Sequence, residues 1–223
     1  KLVTGVQTCA LLIYVKLGLA SDGEGEHFLD VNTDGSQNWI FAIEDGELIH
    51  VNQLGNTVEL GPVEHLGFEN HYGFGSGRGY IWAASLPMIK HTFFKGIGAD
   101  AYCLEFPHYD YAGKYNADWN INMIVDKPHN MYIHVAIGTG VISLIALVAL
   151  YAMYVFQSIK LYWKRDFGTD YATFAGFGLF CGLTAFMVTG LVDDSTVSVM
   201  PMFYTLLGCG IATNMLIKSR DEK

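Results

Sequence analysis

The sequence predicts a mainly α membrane protein: three C-terminal transmembrane helices preceded by an external loop domain with short helices and a small antiparallel β-meander. Three observations predict it. Apolar runs at about 132–159, 171–192 and 197–217 hold no Asp, Glu, Lys or Arg. Each exceeds the roughly 20 residues that cross a bilayer as a helix. The chain is also divided in charge, with 16 acids and 6 bases from Val15 to Met131 against 6 acids and 7 bases elsewhere. Finally, residues 27–60 alternate short β-prone runs with turn residues.

Orientation follows from the loops. Lys160, Lys164 and Arg165 lie between the first two runs, and Lys218, Arg220 and Lys223 follow the third. The loop between the second and third holds Asp193 and Asp194 and no base. By the positive-inside rule the basic segments face the cytoplasm, so residues 15–131 are expected outside and the C-terminus inside a plasma membrane. Tyr162 and Trp163 suit an interfacial aromatic belt. There is no basic stripe, so nucleic acid is not an expected partner. The cysteines (Cys9, Cys103, Cys181 and Cys209) fit neither a disulfide framework nor a metal motif.

The expected organisation is a non-native or truncated segment at 1–14, an external β-meander insertion at 15–72, and an external loop with an amphipathic helix at 73–131. The three spans at 132–217 and a tail at 218–223 complete it. The chain begins with Lys, and residues 2–11 resemble translated adaptor read-through, which is why the first segment is set apart. In the meander the predicted strands are His27–Val31, Asn38–Ile43, Glu47–Val51 and Thr57–Leu60, joined by Thr-Asp-Gly, Glu-Asp-Gly and Leu-Gly-Asn turns. Asp30-Val-Asn32-Thr-Asp34-Gly35 reads like the start of a calcium loop. The twelfth position holds Phe41 where a bidentate Glu is needed, so the stretch is read as a hairpin turn.

Gly73-Phe-Gly75-Ser-Gly77-Arg78-Gly79 lacks the Gly-Lys-Ser/Thr of a P-loop, though such a loop can still bring backbone N–H groups to an anion. Tyr80 to Phe94 reads as helix, with Ile81, Trp82, Ser85, Met88 and Ile89 on one face. Pro87 either kinks it or begins a second helix near a Ser85 cap. From Gly96 to Val125 the chain is loop-like and aromatic, which suits sugar stacking or a membrane interface equally.

The candidate site opens the first span. Asp126 is a plausible N-cap, with Lys127 and Pro128 in the first turn and His129 just inside the helix. A helix N-terminus favours an anion, Lys127 adds a point charge, His129 can take a proton near neutral pH, and Asn130 can donate or accept. The alternative is a helix cap with an interfacial histidine. Arg78 is the second candidate, because its forked guanidinium suits phosphate and it is the only arginine before the spans. The alternative there is a surface ion pair. His134 lies one turn deeper. His91 and His108 read as surface residues. No metal site is expected, since no His-x3-His pair or Cys-His cluster exists.

Ser76-Gly-Arg78-Gly-Tyr-Ile-Trp82, then Lys95-Gly-Ile-Gly98-Ala-Asp100, then His129-Asn130 with Gly140 ten residues after Asn130, resemble the O-antigen ligase and O-antigen polymerase superfamily. Gly75–Tyr151 is similar to Gram-positive members. The resemblance implies a polytopic, metal-independent glycosyltransferase of cell-surface polysaccharide assembly, with no cofactor. It would move a glycan from an undecaprenyl-pyrophosphate carrier to a hydroxyl on a glycan, lipid or protein acceptor. It maps the family's loop arginine onto Arg78, to hold pyrophosphate, and its histidine onto His129, to activate the acceptor. Lys127, Asn130 and Trp82 would bind substrate. The meander is not part of the family's common pattern, and further spans and arginines are expected upstream, so this piece alone is expected to be inactive. A repeat-unit polymerase is the near alternative. A membrane-anchored binding or sensor protein is the distant one, with few or no spans upstream. A transporter would be expected to carry intramembrane charges, and the runs have none.

Overall fold

A computed structural model describes residues 15–21, 27–33, 37–52, 57–58, 63–166 and 170–222. Residues 1–14 and the Asp34-Gly35 end of the calcium-like tract lie outside the described residues. The chain divides into two compact units: residues 1–63 with 107–124, and residues 64–106 with 125–223.

The first unit is built on a four-stranded antiparallel sheet in sequence order: β1 (Val15–Ser21), β2 (His27–Thr33), β3 (Gln37–Glu44) and β4 (Glu47–Val51). The last three match the expected meander, with Leu29 opposite Phe41 and Phe41 opposite His50. The β3–β4 turn has Asp45 and Gly46 at φ 51° and 82°, the left-handed pair that a two-residue hairpin needs. Of the expected strand at 57–60, residues 59 and 60 lie outside the described residues, and Thr57 forms an isolated antiparallel bridge with Val51. β1 was not anticipated, although Val15, Leu17 and Leu19 alternate with period two.

The helix α3 (Tyr111–Asn116) belongs to this unit. Its N-cap Asp110 accepts from the Gly113 N–H. Tyr111 meets the His50 ring edge-on at 4.7 Å and Trp39 at 5.7 Å. Lys114 is buried, donating to the carbonyls of His108 (2.8 Å) and Ile121 (3.1 Å). Burial pushes its ammonium down to about 8, because desolvation penalises the charged form.

The second unit begins with α1 (Phe74–Ser85). Gly75, Ser76 and Gly77 all have positive φ (59°, 62° and 90°), so a left-handed turn precedes the regular helix from Arg78. The helix is buried on every side from Gly79 to Ser85, where one buried face was expected. Residues 64–72 wrap it: the Tyr80 N–H reaches the Tyr72 carbonyl, and the Leu66 N–H reaches the Ala83 carbonyl. Pro87 then starts a 3-10 turn, Leu86–Lys90, which decides between a kinked helix and a second one. Ser85 stands at the N-cap position of that turn, as expected, but its side chain makes no capping bond. Its hydroxyl bonds the Ile81 carbonyl and the buried Tyr102 hydroxyl of α2 (Tyr102–Glu105).

The first apolar run is not one helix. It divides into α4 (Met131–Thr139) and α5 (Val141–Tyr162) at Gly140, whose φ is 101°. Residues 92–98 cause the break. The N–H groups of Ile97 and Gly98 take the carbonyls of Ile137 and Gly138, and the Val141 N–H goes to Phe93. A continuing helix would pair those carbonyls with residues 141 and 142. The approach is so close that a Cβ on Gly96 would lie 2.0 Å from the Gly138 oxygen.

Among the described residues, α5, α6 (Tyr171–Thr189) and α7 (Met200–Asp221) are the three helices long and apolar enough to cross a membrane, with mean hydropathy 2.0, 1.6 and 1.4. The expected fold class is therefore borne out. Tyr151, Tyr154, Leu183, Met187, Phe203 and Leu207 form their shared core, with Met131 at one end. Toward the other end Asn214 of α7 accepts from the Tyr162 hydroxyl (2.7 Å) and donates to Ser158 (2.8 Å), which satisfies polar groups that lipid could not.

Two glycine substitutions test the backbone contact. Gly96→Ala must displace main chain and should cost about 1–3 kcal/mol, read as a lowered Tm in detergent. In Gly208→Ala the new Cβ meets nothing within 4 Å, and the Tm should hold or rise slightly.

Candidate functional site

The site is organised by the turn from Val125 to Met131. Asp126 does not cap the helix. Asn130 does, its Oδ1 accepting from the N–H groups of Tyr132 and Ile133, both at 3.0 Å. Asp126, Lys127, Pro128 and His129 therefore precede the helix, and His129 stands outside its first turn. The reason is backbone geometry: His129 has φ 49° and Asn130 φ −157°, neither of which a helix accommodates.

The turn is tied to the loop between α6 and α7. The Met131 N–H is shared by the carbonyls of Gly190 (2.8 Å) and Asp193 (3.0 Å). Asn130 Nδ2 donates to Leu191 O (2.7 Å), and the Tyr132 hydroxyl to Met187 O (2.6 Å). These bonds bring His129 Nδ1 to 2.8 Å from Asp194 Oδ2. The Asp194 side chain is 6% exposed and the His129 side chain 39% exposed, so a buried carboxylate backs a histidine that faces outward. With Nδ1–H donated to Asp194, Nε2 keeps its lone pair. Burial pushes the Asp194 carboxyl above its ordinary range, and the nearby His129, His134 and Lys127 and the Asn130 backbone pull it partly back. Among the described residues Asp194 Oδ1 has no hydrogen-bond partner.

Asp194 was missed from sequence, where it served only to set topology. The available signal was that Asp193 and Asp194 are the only charges in the short loop between two apolar runs. His129, Asp193 and Asp194 also place potential ligand atoms within 4.8 Å of one another, so by type and spacing this set could hold a divalent cation.

Arg78 enters from α1. Its Nη1 donates to Gly75 O (2.9 Å), curling the side chain over the left-handed turn, while its buried Nε has no partner among the described residues. Among the described residues it makes no ion pair. One turn on, Trp82 is buried and donates Nε1–H to Pro128 O (2.9 Å), beside His129. Trp82 thus couples the arginine's helix to the histidine's turn from behind, with Phe68 and Phe74 on its ring. Arg78 and His129 share no hydrogen bond among the described residues. Lys127 is half-buried and acts on Asp194 through its charge. His134 meets the Tyr102 ring edge-on at 6.5 Å. His91 is exposed as expected, and His108 is half-buried.

The Lys95–Asp100 tract has a structural part to play, since its glycines make the backbone approach that ends α4. The arrangement as a whole is that of a membrane protein whose histidine, ahead of its spanning helices, pairs with a buried carboxylate from the loop between two of them. Residues 38–148 match the family model described as O-Antigen ligase, and the chain belongs to the O-antigen ligase superfamily. No curated protein and no solved structure matches it.

Asn130→Ala removes the cap and the bond to Leu191. It should lower stability by about 1–3 kcal/mol and loosen His129 from Asp194, seen as a reduced Tm in detergent and loss of the histidine Nδ1–H signal in NMR.

Proposed function

We propose that the protein transfers a glycan from an undecaprenyl-pyrophosphate carrier to an acceptor hydroxyl at the outer face of the plasma membrane, as a ligase-like glycosyltransferase of cell-surface polysaccharide assembly. The observation that carries this reading is the 2.8 Å contact of His129 Nδ1 with buried Asp194, which leaves Nε2 as a base. In the reaction His129 Nε2 takes the acceptor hydroxyl proton as the oxygen attacks the anomeric carbon. The bond from that carbon to the pyrophosphate oxygen breaks, and the electron pair leaves with the pyrophosphate. Asp194 holds the imidazole in the required tautomer and stabilises the imidazolium that forms, without itself taking the proton. Arg78, with its unpartnered Nε, and Lys127 are suited to the charge that develops on the leaving group. The step needs no metal. A ligase and a polymerase share this chemistry and differ in the acceptor. Residues 15–131 would lie outside and the C-terminus in the cytoplasm, which puts Lys127, His129 and Asp194 where a lipid-linked donor meets water.

In the complete protein, His129→Ala and Arg78→Lys should each reduce transfer by roughly 10²–10⁴-fold, the range for a lost base or transition-state donor, with membrane insertion unchanged. Full activity in both, measured with a radiolabelled polyprenyl-linked donor, would sink the assignment.

The pH response follows from Asp194. Its native pKa is raised, so between the unfolded and native values the folded state binds more protons than the unfolded one, and stability rises as pH falls through that window. The carboxylate that orients His129 is lost there too. Transfer should therefore fall on acidification before the fold does, with near-UV circular dichroism unchanged. Asp194→Asn should be slow at every pH and lack that acid limb.

A further inference from the structure

The end of the spans away from the histidine turn carries Lys160, Lys164, Arg165, Lys218 and Arg220. The C-termini of α5 and α7 and the N-terminus of α6 meet there, because Arg165 pairs with Asp221, and Arg220 with Asp170 at 3.5 Å. Lys218 has Glu222 at 4.0 Å. Lys160 and Lys164 differ from these. Among the described residues neither has a carboxylate partner or a hydrogen bond.

These two lysines are four residues apart and share one face of α5 and its C-terminal turn with Phe156, Ile159 and Trp163. Together they line an open groove of about 530 Å³. All of them are exposed. The groove changes character along the helix. Phe156 and Ile159 form its deeper part, and Trp163 with the two ammonium groups forms the outer part. From Phe156 to Trp163 the rise is about 10 Å. That is the gradient of a bilayer leaflet, from acyl chain to phosphate. An indole suits the interfacial level, and lysine stems can lie along the apolar surface while their heads reach the phosphates.

A lipid or another helix could lie in such a groove. A helix would bury two ammonium groups with no carboxylate to meet them, and that desolvation is costly. A zwitterionic lipid brings a cation of its own with its phosphate. An anionic phospholipid brings the missing negative charge alone. We infer that the α5 groove is a binding site for an anionic phospholipid of the leaflet at this end, with its phosphate on Lys160 and Lys164 and an acyl chain along Ile159 and Phe156. The site is local because the charges of Arg165 and Arg220 are neutralised within the protein, and those of the two lysines are not. It is independent of the transfer reading, since it lies at the other end of the spans from His129.

The test places the complete protein in bilayers of brominated phosphatidylglycerol mixed with plain phosphatidylcholine, and in the reverse mixture. Bromine on an acyl chain quenches a nearby indole, so Trp163 reports which lipid fills the groove. The Trp163→Phe protein supplies the background. Phosphatidylglycerol should be preferred by roughly 25-fold, from about fivefold for each lysine near the surface. Lys160→Gln and Lys164→Gln should each lower the preference about fivefold. Both side chains are exposed, so these variants should keep the fold. Lys218→Gln removes the same charge at the same end and should leave the preference nearly unchanged, because Glu222 already faces it. Equal quenching by the two lipids would make the groove a place for bulk lipid. Quenching by neither would mean that another helix covers it. A loss in Lys218→Gln as large as in Lys160→Gln would mean a diffuse surface charge. Each of these three results would overturn the inference.

Discussion

Met131 donates its N–H to two carbonyls of the α6–α7 loop, and Asn130 reaches a third, at Leu191. The geometry of the site depends on this junction. A helix start leaves its first N–H groups without intrahelical partners. Asn130 caps those of Tyr132 and Ile133, and the Met131 N–H goes to the α6–α7 loop. The loop is thereby held against the turn, and Asp194 against His129, across 65 residues of sequence. The same junction sits on the apolar core of the spanning helices, so packing among Met131, Met187 and Phe203 supports the position of the imidazole.

Backbone strain occurs beside the same groups, as it does at the turn residues Asp45, Asp100 and Asp118. His129 and Ser76 are non-glycine residues in the left-handed region, and each borders a candidate reacting group. Such residues cost of order 1–3 kcal/mol and persist where the surroundings over-determine them. At His129 the surroundings are the Trp82–Pro128 bond on one side and the Asn130 cap on the other. At Ser76 they are the flanking glycines and the Arg78 guanidinium on Gly75 O. The strain aims side chains that a regular helix would direct elsewhere.

The glycines of the family-like tracts divide into two kinds. Gly79, Gly96 and Gly140 permit close backbone approach, and Gly79 would otherwise press a Cβ within 2.1 Å of the His71 oxygen. Gly75 and Gly77 permit the turn that carries Arg78. None of them supplies chemistry, yet without them α4 would run on into α5 and the arginine would begin a different helix.

The spanning helices and the hairpin at Asp45-Gly46 were legible from sequence, and residue type and position singled out His129 and Arg78 as candidates, because burial period, turn chemistry and charge distribution are local properties. The break at Gly140 was not, since it depends on residues 92–98 taking the carbonyls that a lone helix would keep. Nor was the cap: Asp126 and Asn130 are both good caps by type, and only the left-handed φ of His129 excludes the former. The sequence alone determined that this is a membrane protein carrying a basic, histidine-bearing turn ahead of its spans. Only the tertiary structure decided that the turn has a buried carboxylate behind it, because that pairing is made by backbone hydrogen bonds between segments far apart in the chain, and those leave no mark in residue type.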